Sequence, residues 1–359
     1  MKRILVYSPD NDPTSWYRSA RPWQLLGREL NKATGLYGAM IENYQIDYVS
    51  SGSRQIIPAD WDQAGFYDLV FLQRPFHPSL LQATSNFKRM GCKIWVDEDD
   101  LQTNVPWDMD SAYLYNTDEV QKTIRGCLQM ADVVTVSTDY LGEEMKKLIK
   151  GKVVTIPNAF DLESFPKPDP KPKEKIILWR GAMPSHRANI MSVRKELYEV
   201  MKANPDWKLV FMGAQPWWYL VFKDEFPEVL PNIGYVRHTG SLFDYYATIA
   251  DINPAIWIVP LIDNPFNRSR SNNAWVDASW IGAHTIAPES PEWLRPGVWD
   301  YEFGNPQEFK SILGTLMFEY FGEHTSPIKN DESWPYIQEN LLLPNVNQKR
   351  LEIVKKLIG

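Results

Sequence analysis

Short apolar runs without polar alternation recur along the chain. "RILVYS" (3–8), "DLVFLQ" (68–73), "KIWVDE" (93–98), "DVVTVS" (132–137) and "KVVTIP" (152–157) occupy the first half. Runs of this kind suit strands buried on both faces of a parallel sheet. Helical periods fall between them, near Trp16–Asn31, Pro78–Met90, Asp118–Met130 and Thr138–Ile149. Repeated β–α units predict a doubly wound α/β domain.

The pattern breaks at Phe165–Lys175, "FPKPDPKPKEK", which is rich in proline and charge and has no apolar period. It reads as a linker. Alternation then resumes with "KIILWRG", a helix near Asn189–Lys202, "WKLVFMG", a helix near Leu242–Ala250, "AIWIVPL", a further helix and "HTIAP". The second half is therefore a second doubly wound domain. The expected organisation is an N-terminal domain over 1–166, a linker over 167–175, a C-terminal domain over 176–329 and a helical tail over 330–359. A length of 359 residues fits two cores better than one.

Composition narrows the function classes. The net charge of −7 argues against a protein built around non-specific phosphate binding, though not against a local basic cleft. Two cysteines, Cys92 and Cys127, without metal-like neighbours, suit a reducing, cytoplasmic setting. The N-terminus reads as a strand rather than a signal peptide, and no apolar run approaches the ~20 residues needed to cross a bilayer. No integral membrane segment is expected. Fifteen tryptophans are many, and Trp16, Trp23, Trp217 and Trp218 lie outside obvious core patterns. Such aromatics line sites for flat or sugar-like ligands, but more often fill cores.

The strand ends carry the candidate chemistry. No G-x-G-x-x-G, P-loop or G-x-S-x-G motif occurs, which disfavours dinucleotide oxidoreductases, P-loop enzymes and serine hydrolases. His238, His284 and His324 share no spacing, so no metal site is expected. "PFNRSRSNNAWVDASWIGA" (265–283) reads as a helix beginning near Ser269–Asn272 and ending before Gly282. Arg268 and Arg270 then sit at the positive end of its dipole, an unfavourable place that an anion such as a diphosphate would offset. Asp277 lies almost two turns beyond Arg270, about 10 Å along the same face, where a carboxylate can hold sugar hydroxyls. A solvated helix with surface charges fits these residues equally well. In the first half, "WVDEDDLQTNVP" puts Asp97, Asp99 and Asp100 at a strand's carboxyl end, as acceptor-binding or basic groups or as helix caps. "TSWYRSARPWQLL" and "FLQRPFHPSLL" place Trp16, Arg18, Arg21, Arg74 and His77 nearby. For these, surface ion pairs and structural roles are the competing reading.

At this point a resemblance becomes specific. "VPLIDNPFNRSRSNNAWVDASWIGAHTIAPE" resembles the donor-binding segment of GT-B glycosyltransferases of the group 1, family 4 type. "ADVVTVSTDYLGEEMKK…KVVTIPNAFD" and "ILWRGAMPSHRANI" are similar to that family's N-domain end and phosphate-binding loop, in the same order. The resemblance implies two Rossmann-like domains facing across a cleft, a nucleotide-diphosphate sugar as co-substrate with no further cofactor, and retaining transfer without a required metal. It implies a donor site at Arg180, His186, Arg187, Thr239, Asn267, Ser269, Arg270, Ser271, Asn272 and Asp277. Asp99, Asp100, Arg180 and Arg270 are the implied catalytic groups. Trp16, Arg18, Arg21, Arg74, His77 and Asp97 are on the acceptor side. The family's paired glutamates fall on Ser269 and Asp277, so one is missing and the other shortened. A glycan or lipid-linked glycan is the expected acceptor. Sugar transfer to hydroxylated bases of phage-type DNA, a non-catalytic nucleotide-sugar binder and a sugar-nucleotide epimerase are the alternatives.

Overall fold

The computed structural model describes residues 1–9, 13–31, 44–50, 65–181, 183–213, 217–237, 239–294, 301–320 and 330–359, with backbone alone at 183–185, 217–220, 319–320 and 330–331. His238, His324 and the side chains of Trp217 and Trp218 lie outside the described residues.

The N-terminal half builds one parallel sheet. β1 (Lys2–Ser8) leads into a turn of helix α1 (Pro13–Ser15), a π-helical stretch (Trp16–Ala20) and α2 (Arg21–Leu30). Then come β2 (Tyr44–Ser50), β3 (Leu69–Gln73), α3 (Ser79–Arg89), β4 (Lys93–Glu98), α4 (Ala112–Tyr115) and α5 (Asp118–Met130). β5 (Val133–Val136), α6 (Asp139–Lys146) and β6 (Lys152–Thr155) complete it. The strand order is β2-β1-β3-β4-β5-β6. Alternate residues of β3 feed opposite cores. Val70 and Leu72 pack with Ile94, Val96 and Ile124 on one side, while Leu69 and Phe71 meet Trp23 and Trp95 on the other. The uninterrupted apolar runs follow from this two-sided burial. Thr117 caps α5 by accepting from Val120 N–H, with Asp118 and Glu119 in the favoured first turn.

The C-terminal half repeats the plan with β7 (Glu174–Arg180), α7 (Met183–Met191), α8 (Arg194–Ala203), β8 (Lys208–Gly213), α9 (Trp217–Glu225) and β9 (Ile233–Arg237). α10 (Leu242–Ile252), β10 (Pro254–Ile258), the short α11 (Pro265–Arg268), α12 (Asn273–Ile281), β11 (His284–Pro288), β12 (Tyr301–Phe303) and α13 (Pro306–Tyr320) follow. Its order is β12-β11-β10-β7-β8-β9. The chain ends with α14 (Asn330–Asn340) and α15 (Leu343–Ile358). Trp334 and Ile337 of α14 pack into the second domain beside Trp275. Leu343, Val346, Ile353 and Val354 of α15 pack against Trp23 and Leu26 of the first. The tail thus straps the domains together. Phe160 and Phe165, ahead of β7, are already buried with Tyr246 and Trp280 of the second domain.

Three strands went unrecognised in the sequence: β2, β9 and β12. All lie at or beside a sheet's edge and are less fully buried than the interior strands. The segment 265–281 is two helices rather than one. Asn264 caps α11 by accepting from Asn267 N–H at 2.8 Å, and the chain breaks over Ser269–Asn272 before α12 begins.

One buried ion pair organises the first domain. Arg18 is 0% exposed and grips Asp97 through Nε at 2.9 Å and Nη2 at 2.6 Å. Its Nη1 donates to the Ile156 carbonyl at 2.6 Å and to Asn158 Oδ1 at 3.1 Å. Removing one partner leaves a buried charge unpaired. Arg18→Met should therefore cost about 3–5 kcal/mol in urea denaturation, and a loss under ~1 kcal/mol would show that the pair stabilises little.

Candidate active site

In an open α/β sheet, ligands bind outside the strands' carboxyl ends where the strand order reverses. In the first sheet that switch lies between β1 and β3, and in the second between β7 and β10. Residues following all four strands line one cavity of about 180 Å³. Thr14, Tyr17, Arg74, Asp99, Asp100 and Asn158 form the N-terminal wall. Arg180, His186, Val259, Leu261, Arg270, Ser271, Asn273, Ala274 and Trp293 form the other.

Arg74 leaves β3 with φ 44°, a left-handed conformation that costs a non-glycine residue about 1 kcal/mol or more. Its backbone N–H donates to the Asp97 carbonyl at 2.9 Å, holding that turn against β4. Its guanidinium clasps Asp99 through Nε and Nη2, and Nη2 also lies 3.2 Å from Asp100 Oδ2. Burial raises the Asp99 carboxyl above its usual range, Arg74 opposes that, and Asp100 reinforces it. Asp100 is the more open carboxylate, with its side chain 28% exposed against 8% for Asp99.

Opposite, Arg270 Nη1 donates to His186 Nε2 at 2.7 Å. A guanidinium keeps its protons, so the imidazole is the acceptor and is neutral. Burial, then Arg270 and Arg180, push His186 well below its ordinary pKa. The Arg270 guanidinium carbon also lies 5.1 Å from the Phe266 ring centroid. Arg270 has no carboxylate partner among the described residues, and its Nε is buried without a hydrogen bond. Asn273 and Ala274, the first two residues of α12, also line the cavity, while the next amide, Trp275 N–H, already donates to the Asn272 carbonyl at 2.9 Å.

Arg180 is held by a buried network. Its Nη2 lies 3.4 Å from Asp277 Oδ2, and its guanidinium stands over Tyr245 at 5.4 Å. Tyr245 and Tyr246 hydroxyls donate to Asp277 at 2.7 and 2.9 Å. Because Tyr246 spends its proton on Asp277, Tyr17 of the first domain donates to Tyr246 across the interface, at 2.6 Å.

Of the residues expected from the sequence, Arg74, Asp99, Asp100, Arg180, His186, Arg270 and Ser271 line the cavity. The others do not. Arg18 and Asp97 are consumed by their mutual pair, and they bear on the site indirectly, through the Asp97 carbonyl that holds the Arg74 turn and through Asn158. That side chain accepts from Arg18 and donates to Ser271 Oγ at 2.9 Å across the interface. Arg21 is tied to Asp161 at 2.7 Å and Glu163 at 2.9 Å. Trp16 packs between Phe165 and Phe243. His77 Nδ1 lies 2.9 Å from Ser79 Oγ at the start of α3. Asn267 donates to Asn189 and the Ile262 carbonyl, which fixes the β10–α11 loop. Ser269 is fully buried, and its carbonyl accepts from Thr138 of the first domain at 2.9 Å. Asn272 is buried ahead of α12, and Thr239 Oγ1 donates to the Ser241 carbonyl at 3.2 Å. Arg187 is exposed at a separate crevice with Asp108 and Ile262. Arg268 turns outward to Asp263 at 2.5 Å and is not an anion ligand of the helix end. Asp277 is 4% exposed and occupied by two tyrosines and Arg180, so it does not present a carboxylate to the cavity.

Sequence reasoning passed over Tyr17, Asn158 and Trp293. Tyr17 and Asn158 stand in stretches already singled out, "TSWYRSARP" and "IPNAFD". Trp293 follows β11 with no local motif to mark it. It is 1% exposed, and its Nε1 has no hydrogen-bond partner. Among the described residues no cluster of three or more His, Cys, Asp or Glu could hold a metal ion, and no helix is long and apolar enough to cross a membrane.

Solved structures share this architecture. A glycosyltransferase from Rickettsia africae matches with a TM-score of 0.68 at 12% identity, over 100% of this chain and 99% of that one. A UDP-forming α,α-trehalose-phosphate synthase from Burkholderia xenovorans matches at 0.64 and 11%, over 100% of both chains. A putative UDP-N-acetylglucosamine 2-epimerase from Listeria monocytogenes matches at 0.60 and 12%, over 99% and 96%. The chain thus has the two-domain GT-B fold, which transferases and an epimerase alike carry. No family model and no curated protein matches it.

Glu98 sits beside these carboxylates on the opposite sheet face from Asp97. It is 1% exposed and neither oxygen has a hydrogen-bond partner. Burial, then Asp99, push its pKa well above 4.5. The folded chain keeps this proton where the unfolded chain loses it. The stabilisation is therefore full below pH 4.5 and declines as pH rises toward the folded value. The slope should be at most about 1.4 kcal/mol per pH unit in that window. Glu98→Gln should flatten it, as read from urea midpoints at pH 5 and pH 7. Equal pH dependence in both proteins would show that Glu98 is ionised in the fold.

Proposed function

We propose that this protein is a glycosyltransferase that moves a sugar from a nucleotide-diphosphate donor to a hydroxyl acceptor in the interdomain cavity. The observation that carries the reading is Arg270, a cation in the cavity wall without a carboxylate partner among the described residues. It stands with Arg180 beside Asn273 and Ala274, which open α12. Such an arrangement suits a diphosphate, which takes bidentate guanidinium contacts and helix N–H groups together.

In the reaction, the bond between the anomeric carbon and the diphosphate oxygen breaks as the acceptor oxygen bonds to that carbon. Positive charge builds on the sugar and negative charge on the leaving diphosphate. Arg180, Arg270 and the start of α12 stabilise the leaving group. Neutral His186 accepts from Arg270 and orients it without cancelling its charge. Asp100, the open carboxylate on the facing wall, orients the acceptor hydroxyl and takes its proton, while Arg74 and Asp99 hold Asp100 in place. Retention of configuration and independence from a metal belong to the same proposal and rest on the family resemblance. A glycan acceptor is preferred to DNA because the chain carries a net charge of −7.

Thermal unfolding in a panel of nucleoside diphosphates tests the donor site. A ligand at 100 times its Kd should stabilise the protein by about 2.7 kcal/mol. Arg270→Ala should abolish the shift and lower turnover about 10²–10³-fold. If no diphosphate shifts the wild type, or if Arg270→Ala transfers sugar at the wild-type rate, the assignment fails. Epimerised nucleotide sugar as the product would identify the isomerase alternative.

A further inference from the structure

We infer that the first domain positions Arg270. It clasps the segment 266–271 of the second domain through Phe266, Ser269 and Ser271, so the anion site takes its working shape only while the domains are in contact. This rests on the transferase reading and supplies the regulation of its donor site, with Thr138 as a positioning residue.

The segment follows β10 in the chain but is held from across the interface. Phe266 is 5% exposed and is buried among the core residues of the first domain. Thr138 Oγ1 of the first domain donates to the Ser269 carbonyl at 2.9 Å. Asn158 Nδ2 donates to Ser271 Oγ at 2.9 Å, while its Oδ1 accepts from the buried Arg18. These three points bracket Arg270 in the chain. Thr138 is itself fixed, because it is fully buried and its Oγ1 also accepts from Leu141 N–H as the cap of α6. The second domain holds the segment by polar contacts. Asn267 Nδ2 donates to Asn189 Oδ1 at 2.9 Å and to the Ile262 carbonyl at 2.8 Å, and Arg270 Nη1 donates to His186.

The turn carries the clasp to Arg270. Ser269 donates to the Phe266 carbonyl through its N–H at 3.2 Å and its Oγ at 2.7 Å, and Arg270 N–H donates to the Asn267 carbonyl at 3.2 Å. Phe266 and Ser269 therefore move as one unit, and the Arg270 backbone goes with them. The guanidinium carbon stands 5.1 Å from the Phe266 ring centroid, so the ring seated in the first domain also backs the cation. Separating the domains would expose Phe266 to water and leave the Ser269 carbonyl and the Ser271 hydroxyl without their partners. A four-residue helix such as α11 has little stability of its own, so Arg270 would lose its fixed direction. By linkage, an anion that binds the fixed arginine favours the joined arrangement of the domains.

Phe266→Ala would also leave a cavity in the first domain's core, so Thr138→Val in the full chain carries the test. Thr138 does not line the active-site cavity. Thr117→Val is the control, because Thr117 caps α5 as Thr138 caps α6 and its hydroxyl bonds only within the first domain among the described residues. Thr138→Ser restores the hydroxyl. Calorimetric titrations use pyrophosphate, ADP, CDP, GDP and UDP, and the wild type should bind at least one. Thr138→Val should bind that probe about fivefold more weakly, as expected for one lost hydrogen bond, with Thr138→Ser and Thr117→Val within about twofold of the wild type. Without any probe, hydrogen exchange at the Ser269 and Arg270 amides should be about fivefold faster in Thr138→Val alone. Wild-type affinity in Thr138→Val, or an equal loss in Thr117→Val, would overturn the clasp. A wild type that binds no probe would instead defeat the transferase reading, and the exchange rates would then decide the clasp: faster exchange in Thr138→Val alone upholds it, and equal rates overturn it.

Discussion

Three guanidinium groups share one small cavity, and their differing charge balance shapes the site. Arg74 is answered by Asp99 and Asp100. Arg180 shares one buried carboxylate with two tyrosines. Among the described residues, Arg270 meets a neutral imidazole and an aromatic face but no carboxylate. A cation drawn out of water is costly unless something pairs with it. The chain meets that cost in full for Arg74, leaves Arg180 37% exposed to water, and hardly meets it for Arg270. The gradient runs from the first domain to the second and ends at the start of α12.

Bringing these groups together requires both domains, and their contact mixes polar bridges with buried aromatic packing. Tyr17–Tyr246, Thr138–Ser269 and Asn158–Ser271 each cross the interface through hydroxyl or amide groups. Water can replace each of them at a cost near 1 kcal/mol. Apolar packing crosses as well: Phe266 of the second domain is buried in the first domain's core, and Trp16, Phe160 and Phe165 pack into the second. α14 stays on the second domain and α15 on the first, so the tail tethers the halves through whatever excursion they make.

The sequence displayed its interior strands plainly because burial on both faces demands unbroken apolar runs. Residues at or beside the edges obey a weaker rule. β2 is at most half-buried along nearly all its length, and β12 has only three residues. The arginines show a different limit. Arg18, Arg21 and Arg74 all follow strands, and local pattern treats them alike. What separates them is a partner far away in sequence. Arg18 finds Asp97, 79 residues on, and vanishes into the interior. Arg74 finds Asp99 and stays at the cavity wall. Arg268 and Arg270 were likewise indistinguishable within one supposed helix. The break at Ser269–Asn272 sends the first outward to Asp263 and the second inward to His186.

Asp277 shows how a familiar position changes its work when its neighbours change. Its Oδ1 accepts from Tyr246, and its Oδ2 accepts from Tyr245 and Arg180. Its strongest contacts are therefore to protein groups, and little of it remains for a sugar hydroxyl. The carboxylate then fixes Arg180 and, through Tyr246 and Tyr17, ties that arginine's position to the closure of the domains. In the proposed reaction the donor's hydroxyls must find partners among the groups that do reach the cavity, such as Asn158, Ser271 and Asn273. Arg180 is set by the same hydrogen-bonded chain that registers contact between the two halves.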